Sequence, residues 1–153
     1  MTIEEADVED AEEILGLQKL AYQSEAAIYD DYTIAPLTQS LDEIEADFQR
    51  QVFLKASADG KIVGCVRGYV RDGTCFIGRL IVHPDLQNQG IGTRLMNEME
   101  QHFHQARRYE LFTGDRSERT LHLYQKLGYR AFRTERLTDR VAIVYLEKVA
   151  DWL

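Results

Sequence analysis

The sequence predicts an α/β (α+β) domain, a mixed sheet of about seven strands with about four helices on its faces. Three observations lead there. Strand-like and helix-like patterns alternate along all 153 residues, with no linker, repeat or low-complexity tract between them. Two Asp-Gly pairs, Asp59-Gly60 and Asp72-Gly73, separate apolar runs where two-residue hairpin turns need φ > 0. The stretch PDLQNQGIGTRL, residues 84–95, turns an apolar strand into an amphipathic helix through two glycines. The length predicts a single domain, residues 1–153, large enough to bury a core on both faces of a sheet.

Each element has a local reason. A strand is expected over Thr2–Ala6, then a first helix capped at Asp7 with Asp10 three residues on. Its inward face is Ala11, Ile14, Leu15, Gln18 and Ala21–Tyr22. Ser24–Gln39, rich in Tyr, Asp and Ser, reads as a loop. Ser40-x-x-Glu43 is a capping box for a second helix that buries Leu41, Ile44 and Phe48. Strands Val52–Ala58, Lys61–Arg71 and Thr74–Val82 follow, joined by the Asp-Gly turns. A third helix runs from near Gly90 to Ala106, a strand covers Tyr109–Thr113, and a fourth helix spans Ser117–Leu127, closed by Gly128. Strands near Arg130–Arg136 and Val141–Lys148 end the order β-α-α-β-β-β-α-β-α-β-β.

Composition sets bounds on function. A net charge of −8 and a pI near 5.0 argue against nucleic acid as a partner. No apolar run approaches the roughly 20 residues that span a bilayer, so no membrane association is expected. The acidic start MTIEEADVEDAEE has no apolar signal region, which leaves a cytoplasmic location as the expectation. Cys65 and Cys75 show no metal-ligand spacing, and a simple hairpin sets Cys65 opposite Leu80 and Cys75 opposite Val70, giving reduced buried thiols. His102 and His104 face different ways on their helix, so no metal site is expected.

The glycine-bearing stretch carries the chemistry. A helix N-terminus leaves backbone N–H groups without partners and carries partial positive charge, which suits an anion. Glycines at 90 and 92 remove Cβ atoms that would hold a phosphate away, and Thr93 adds a hydroxyl. A dinucleotide fingerprint needs a third glycine where Leu95 stands, and a P-loop needs a lysine that is not there.

Gln87-Asn88-Gln89-Gly90-Ile91-Gly92 resembles the Q/R-x-x-G-x-G/A signature of the GNAT N-acetyltransferase superfamily. The lead-in LIVHP, Leu80 to Pro84, resembles that family's L-x-V-x-P strand ending, and SERTLHLYQKLGYR resembles its second motif, N-x-x-A-x-x-L-Y-x-K-L-G-F. The resemblance implies a mostly antiparallel sheet splayed between strands 4 and 5. It implies acetyl-CoA as acyl donor, its pantetheine paired with the backbone of Leu80, Ile81 and Val82. Its pyrophosphate would then lie on the amides of Gln87, Asn88, Gln89, Gly90, Ile91, Gly92 and Thr93. Tyr124 stands where the family places a tyrosine facing the thioester sulfur, as general acid for the departing thiolate. On residues alone Tyr124 reads as one more aromatic on a buried stripe with Leu121 and Leu127. Ser117 replaces the usual asparagine, able to cap the helix and to donate to the cofactor, and Thr120 stands where alanine is frequent. The strand glutamate used as base by many members is Gly78 here, and Arg79 beside it is an odd charge that would snorkel to the sheet edge.

The same resemblance implies direct attack by a primary amine of a small molecule or peptide, in a ternary complex. The alternatives are a catalytically silent acetyl-CoA sensor or docking module of the same fold, and a binding protein for another nucleotide. In the family, the segment between the first two helices walls the acceptor side. Here AYQSEAAIYDDYTIAP interleaves Tyr22, Tyr29 and Tyr32 with Glu25, Asp30 and Asp31, which suits an ammonium-bearing acceptor. Glu25 is the candidate base in place of Gly78. The alternative is a solvated acidic loop. Relatives that dimerise suggest a homodimer through the C-terminal strand pair, with Tyr145 and Trp152 near its end.

Overall fold

A computed structural model describes residues 1–150, and in it both Asp-Gly pairs are left-handed: Asp59 φ 52°, Gly60 φ 77°, Asp72 φ 53°, Gly73 φ 81°. This two-residue geometry matches the twist of paired strands. It joins β2 (Val52–Ala58), β3 (Lys61–Arg71) and β4 (Thr74–Val82) at the predicted limits. With β1 (Thr2–Glu5), β5 (Arg108–Gly114), β6 (Arg130–Arg136) and β7 (Ala142–Val149) they form one seven-stranded sheet, ordered β1-β2-β3-β4-β5-β7-β6. All pairings are antiparallel except β4 with β5.

Among the described residues there are six α-helices where about four were expected: α1 (Ala11–Ala21), α2 (Gln23–Tyr29), α3 (Ala35–Thr38), α4 (Leu41–Asp47), α5 (Ile91–His102) and α6 (Glu118–Lys126). The two extra ones, α2 and α3, occupy the segment expected to be a loop. They are too short for a periodic pattern to reveal, and packing sustains them instead: Ala26 and Tyr29 are buried. Asp7 forms its reciprocal capping pair with Asp10, but on a short 3₁₀ turn, Val8–Asp10, that runs into α1. Ser40 and Glu43 form the predicted capping box of α4. Leu41 is exposed, against expectation, so α4 is anchored by Ile44 and by Phe48, which stacks on Phe53 at 3.9 Å.

The sheet is covered on both faces. Leu95, Met96 and Met99 of α5 and Tyr124 of α6 pack with Val66, Ile77 and Leu111 on one side. Ile14 and Leu15 of α1 and Ile44 of α4 pack with Phe53, Cys65 and Ile81 on the other. β3 is buried on both faces, which is why its sequence IVGCV is a continuous apolar run. Among the described residues, no helix is long and apolar enough to cross a membrane.

One register differs from the simple hairpin. Cys75 faces Val70 as expected, but Cys65 faces Ile81 rather than Leu80. β4 carries one extra residue between Gly78 and Ile81, a β-bulge in which Arg79 adopts φ 47°. The cysteines are free and buried. Burial pushes both thiols up to about 12 and raises the Tyr109 and Tyr129 hydroxyls above the usual phenol range. The unfolded chain therefore releases these protons first as the medium becomes alkaline. Their contribution to stability should be complete below about pH 9 and decline toward pH 12. Calorimetry at pH 8, 9.5 and 11 should show a steadily falling Tm, and a flat profile would contradict the buried neutral thiols.

Candidate active site

β4 and β5 pair over only three positions, Thr74↔Arg108, Cys75↔Tyr109 and Phe76↔Glu110, and then diverge. The remainder of β4, from Ile77 to Val82, presents an edge toward β5 that is unpaired in the sheet. A cleft of about 550 Å³ opens at this splay, and Leu80, Ile81 and Val82 line it. Gln87 lines it too, at the approach to α5.

The start of α5 leaves backbone donors exposed. Asn88 (φ 64°) and Gly90 (φ 81°) are both left-handed, and Gly90 caps the helix with no side-chain hydrogen bond. The first amides of the helix, those of Ile91, Gly92 and Thr93, therefore have no intrahelical acceptor. Space beside Gly90 is open, as the phosphate argument requires. Gly92 has a different role. A Cβ there would meet Leu123, Leu80 and Val82 side chains at 3.4–3.8 Å, so this glycine lets α5 close on β4 and α6. Gly92→Ala should fold with a near-native Tm. Gly92→Asp forces a carboxylate against three apolar side chains and should lose about 1–3 kcal/mol. Equal melting temperatures for the two variants would contradict this packing.

Side chains from distant segments converge at the cleft's inner end. Ser117, 1% exposed, donates its hydroxyl to the Glu25 carboxylate. It does not cap α6 with its side chain, contrary to expectation. Tyr29 accepts from the Arg116 N–H at 2.6 Å and donates to Asp115 Oδ1 at 3.1 Å, clamping α2 onto the β5–α6 turn. Tyr124 is buried and lines the cleft, yet its hydroxyl makes no hydrogen bond to the described residues. No fully buried side-chain polar atom lacks a partner among them, so that oxygen opens into the cleft. Burial raises the Tyr124 hydroxyl far above the usual phenol value, and the neighbouring Tyr22 and Glu25 raise it further.

Behind the bulge lies a buried polar network. Arg67, 4% exposed, donates to Asp47 at 2.9 Å and to Gln18 at 2.8 Å. Gln39 accepts from Gln18 at 3.0 Å and from Arg79 at 2.6 Å, and donates to Asp47 at 2.7 Å. Arg79 is thus held inward by α3–α4 residues rather than snorkelling to the sheet edge.

The model of the acetyltransferase (GNAT) family matches residues 12–129 of the chain. The chain belongs to the GNAT family. The GNAT architecture is matched over nearly the whole chain by solved structures. A Streptococcus mutans protein, smu.2055, superposes with a TM-score of 0.84 at 17% identity, covering 97% of this chain and 99% of that one. The PaiA N-acetyltransferase of Thermoplasma acidophilum, solved in complex with coenzyme A, superposes at 0.71 with 19% identity, covering 98% and 100%. At these identities the likeness is one of fold. The UPF0157 protein YqkA of Bacillus subtilis (strain 168) is 30% identical over 124 residues, which are 81% of this chain and 36% of that protein. This GNAT chain therefore spans little more than a third of that curated relative.

Within the GNAT frame, the structure brings together some of the expected acceptor residues and leaves others apart. Tyr22, Glu25, Tyr29 and Asp31 line the cleft. Asp31 is engaged locally, accepting from Thr33 N–H at 2.9 Å and Thr33 Oγ1 at 2.5 Å. Asp30 instead ends α2 in a left-handed conformation (φ 48°), its carboxylate exposed and 3.8 Å from Arg140. Tyr32 is 55% exposed and lies off the cleft. Consecutive residues at a helix end point in different directions, so the run Asp30-Asp31-Tyr32 does not act as one surface. Sequence reasoning missed the apolar wall formed by Ile28, Ile34, Phe112, Leu137, Val141 and Ile143. It also passed over the network, although Gln18 within an apolar helical face was its signal. Tyr145 lies on β7 beside the edge strand β6, and Trp152 lies outside the described residues. Among those residues, no group of three His, Cys, Asp or Glu side chains is placed to hold a metal.

Proposed function

We propose that this GNAT protein is an N-acetyltransferase that moves the acetyl group of acetyl-CoA to a primary amine by direct attack in a ternary complex. The observation that carries this reading is the Tyr124 hydroxyl, without a hydrogen bond to the described residues and open to the cleft at the β4–β5 splay, where burial favours its protonated form. The surroundings fit the donor. The free edge of β4 at Leu80, Ile81 and Val82 suits the amides of a pantetheine arm, and the amides of Ile91, Gly92 and Thr93 suit a pyrophosphate.

The residues divide the proton traffic. Glu25, held by Ser117, takes the proton the amine must lose, directly or through water. The amine nitrogen then bonds to the thioester carbon, backbone N–H groups of β4 receive the developing oxyanion, and the carbon–sulfur bond breaks. Tyr124 gives its proton to the departing thiolate. Tyr22 and Tyr29 flank the acceptor with aromatic faces, consistent with an ammonium group.

Isothermal titration with acetyl-CoA, NAD and ATP, followed by thiol release against a panel of amines, tests the reading. Binding of acetyl-CoA alone, with thiol release dependent on an amine, is expected. Binding without release for any amine supports the silent sensor of the same fold, and absence of acetyl-CoA binding overturns both.

A further inference from the structure

We propose that the acceptor is an α-amino carboxylic acid with an apolar side chain, its carboxylate held by Arg79. The inference rests on the acetyltransferase reading above and names the substrate class of that cleft.

Charge accounting comes first. The network behind the bulge contains two guanidinium groups, Arg67 and Arg79, and one carboxylate, Asp47. Asp47 pairs with Arg67 at 2.9 Å. Arg79 makes no ion pair among the described residues, and its one hydrogen bond runs from Nη1 to Gln39. A guanidinium has five N–H donors in a planar fork that matches a carboxylate. Arg79 is only partly exposed and lines the cleft. Glu43 feels its charge without forming an ion pair with it, and a partly desolvated cation with no direct ion pair gains most from an anionic ligand.

Position comes second. The bulge inserts its extra residue at the point where the strand turns its edge toward the splay, next to Leu80. Arg79 reaches the face covered by α1, α3 and α4, the acceptor side, and Gly78 beside it leaves that floor without a side chain. Glu25 supplies the opposite charge in the same cleft. Tyr22, Glu25 and Arg79 all line this cleft; burial pushes the Tyr22 hydroxyl up to about 12, and Arg79 and Glu25 act on it with opposite signs. A cation and an anion lining one cleft complement a zwitterion. A polyamine would set a second ammonium against Arg79, and a peptide N-terminus would offer an amide where the carboxylate belongs.

The third observation is the apolar part of the same cleft's lining, Ile28, Ile34, Phe112, Val141 and Ile143. It offers an apolar side chain a surface to bury against.

The test measures thiol release by the wild-type protein with L-phenylalanine, L-leucine and L-methionine, with their carboxamides, and with 2-phenylethylamine and 3-methylbutylamine. The acids should exceed the amides and the decarboxylated amines in kcat/KM by on the order of 100-fold, the scale of a charged hydrogen-bonded pair. Arg79→Gln should remove that preference mainly by raising KM, Arg79→Lys should restore only part of it, and acetyl-CoA affinity by titration should stay within about twofold for both. Amides and amines accepted as well as the acids would overturn the inference while leaving the acetyltransferase reading intact. Thiol release with none of these compounds but with a polyamine or peptide would also overturn the inference alone. Acetyl-CoA bound with no release for any amine would overturn the parent reading and this inference with it.

Discussion

Tyr124→Phe should lower kcat by about 100-fold while leaving acetyl-CoA affinity within about twofold, the pattern of lost proton transfer. The substitution keeps the ring and its tilted contact with Tyr129 at 6.0 Å, so the melting temperature should hardly move. Only the hydroxyl is removed, and among the described residues that hydroxyl has no partner to lose. Because burial and the nearby Tyr22 and Glu25 raise its pKa, Tyr124 stays protonated through physiological pH and beyond, and wild-type kcat should show no alkaline loss from this group below pH 10, its ordinary value. Single-turnover measurements, where chemistry limits the rate, provide the check. An unchanged rate would return Tyr124 to the status of a buried aromatic on a stripe with Leu121.

Gly114→Ala should destabilise the protein by about 2–4 kcal/mol, at the upper end for overpacking because a buried tyrosine is displaced. A Cβ on Gly114 would overlap the Tyr29 hydroxyl, and would stand 2.7 Å from Tyr29 Cζ and 2.9 Å from Ser117 Oγ. Tyr29 would have to leave its small cluster with Val141, Ile143 and Tyr145. It would surrender its bonds to Asp115 and to the Arg116 N–H. Activity should fall as well, since α2 carries Glu25 and is pinned to the cleft by that clamp. Urea unfolding of Gly114→Ala, Tyr29→Leu and the double variant separates the causes. The double variant should lie well short of the sum of the two, because the smaller side chain vacates the space the new methyl needs. Strict additivity would show that the two residues do not collide.

Much of the fold was legible because it rests on short-range rules. The Asp-Gly turns, the Ser40–Glu43 box and the strands they delimit all follow from residues within four positions of one another. The helix-starting glycine at 90 is of the same kind. The loop expected at Ser24–Gln39 failed for a definable reason. QSEAAIY and APLT are too short to show a helical period, and contacts such as Gln18 with the Pro36 carbonyl at 2.9 Å hold the segment in place. Asp30 and Tyr32 lie off the cleft for a related reason, since the left-handed residue that ends α2 decides which neighbours face inward.

Residue pattern alone determined the alternation of elements, their limits and the phosphate-ready start of α5, because each depends on local φ/ψ preference and side-chain period. The motifs around Gly90 and Tyr124 carried the resemblance to GNAT proteins for the same reason. Tertiary structure alone decided the chemistry of the cleft. Glu25 meets Ser117 across 92 positions of chain and Tyr29 meets Arg116 across 87. The bulge that turns Arg79 toward Gln39 appears only when β4 is laid against β3. Contacts of this range leave no periodic trace, since each is made by packing two elements whose local sequences are indifferent to one another.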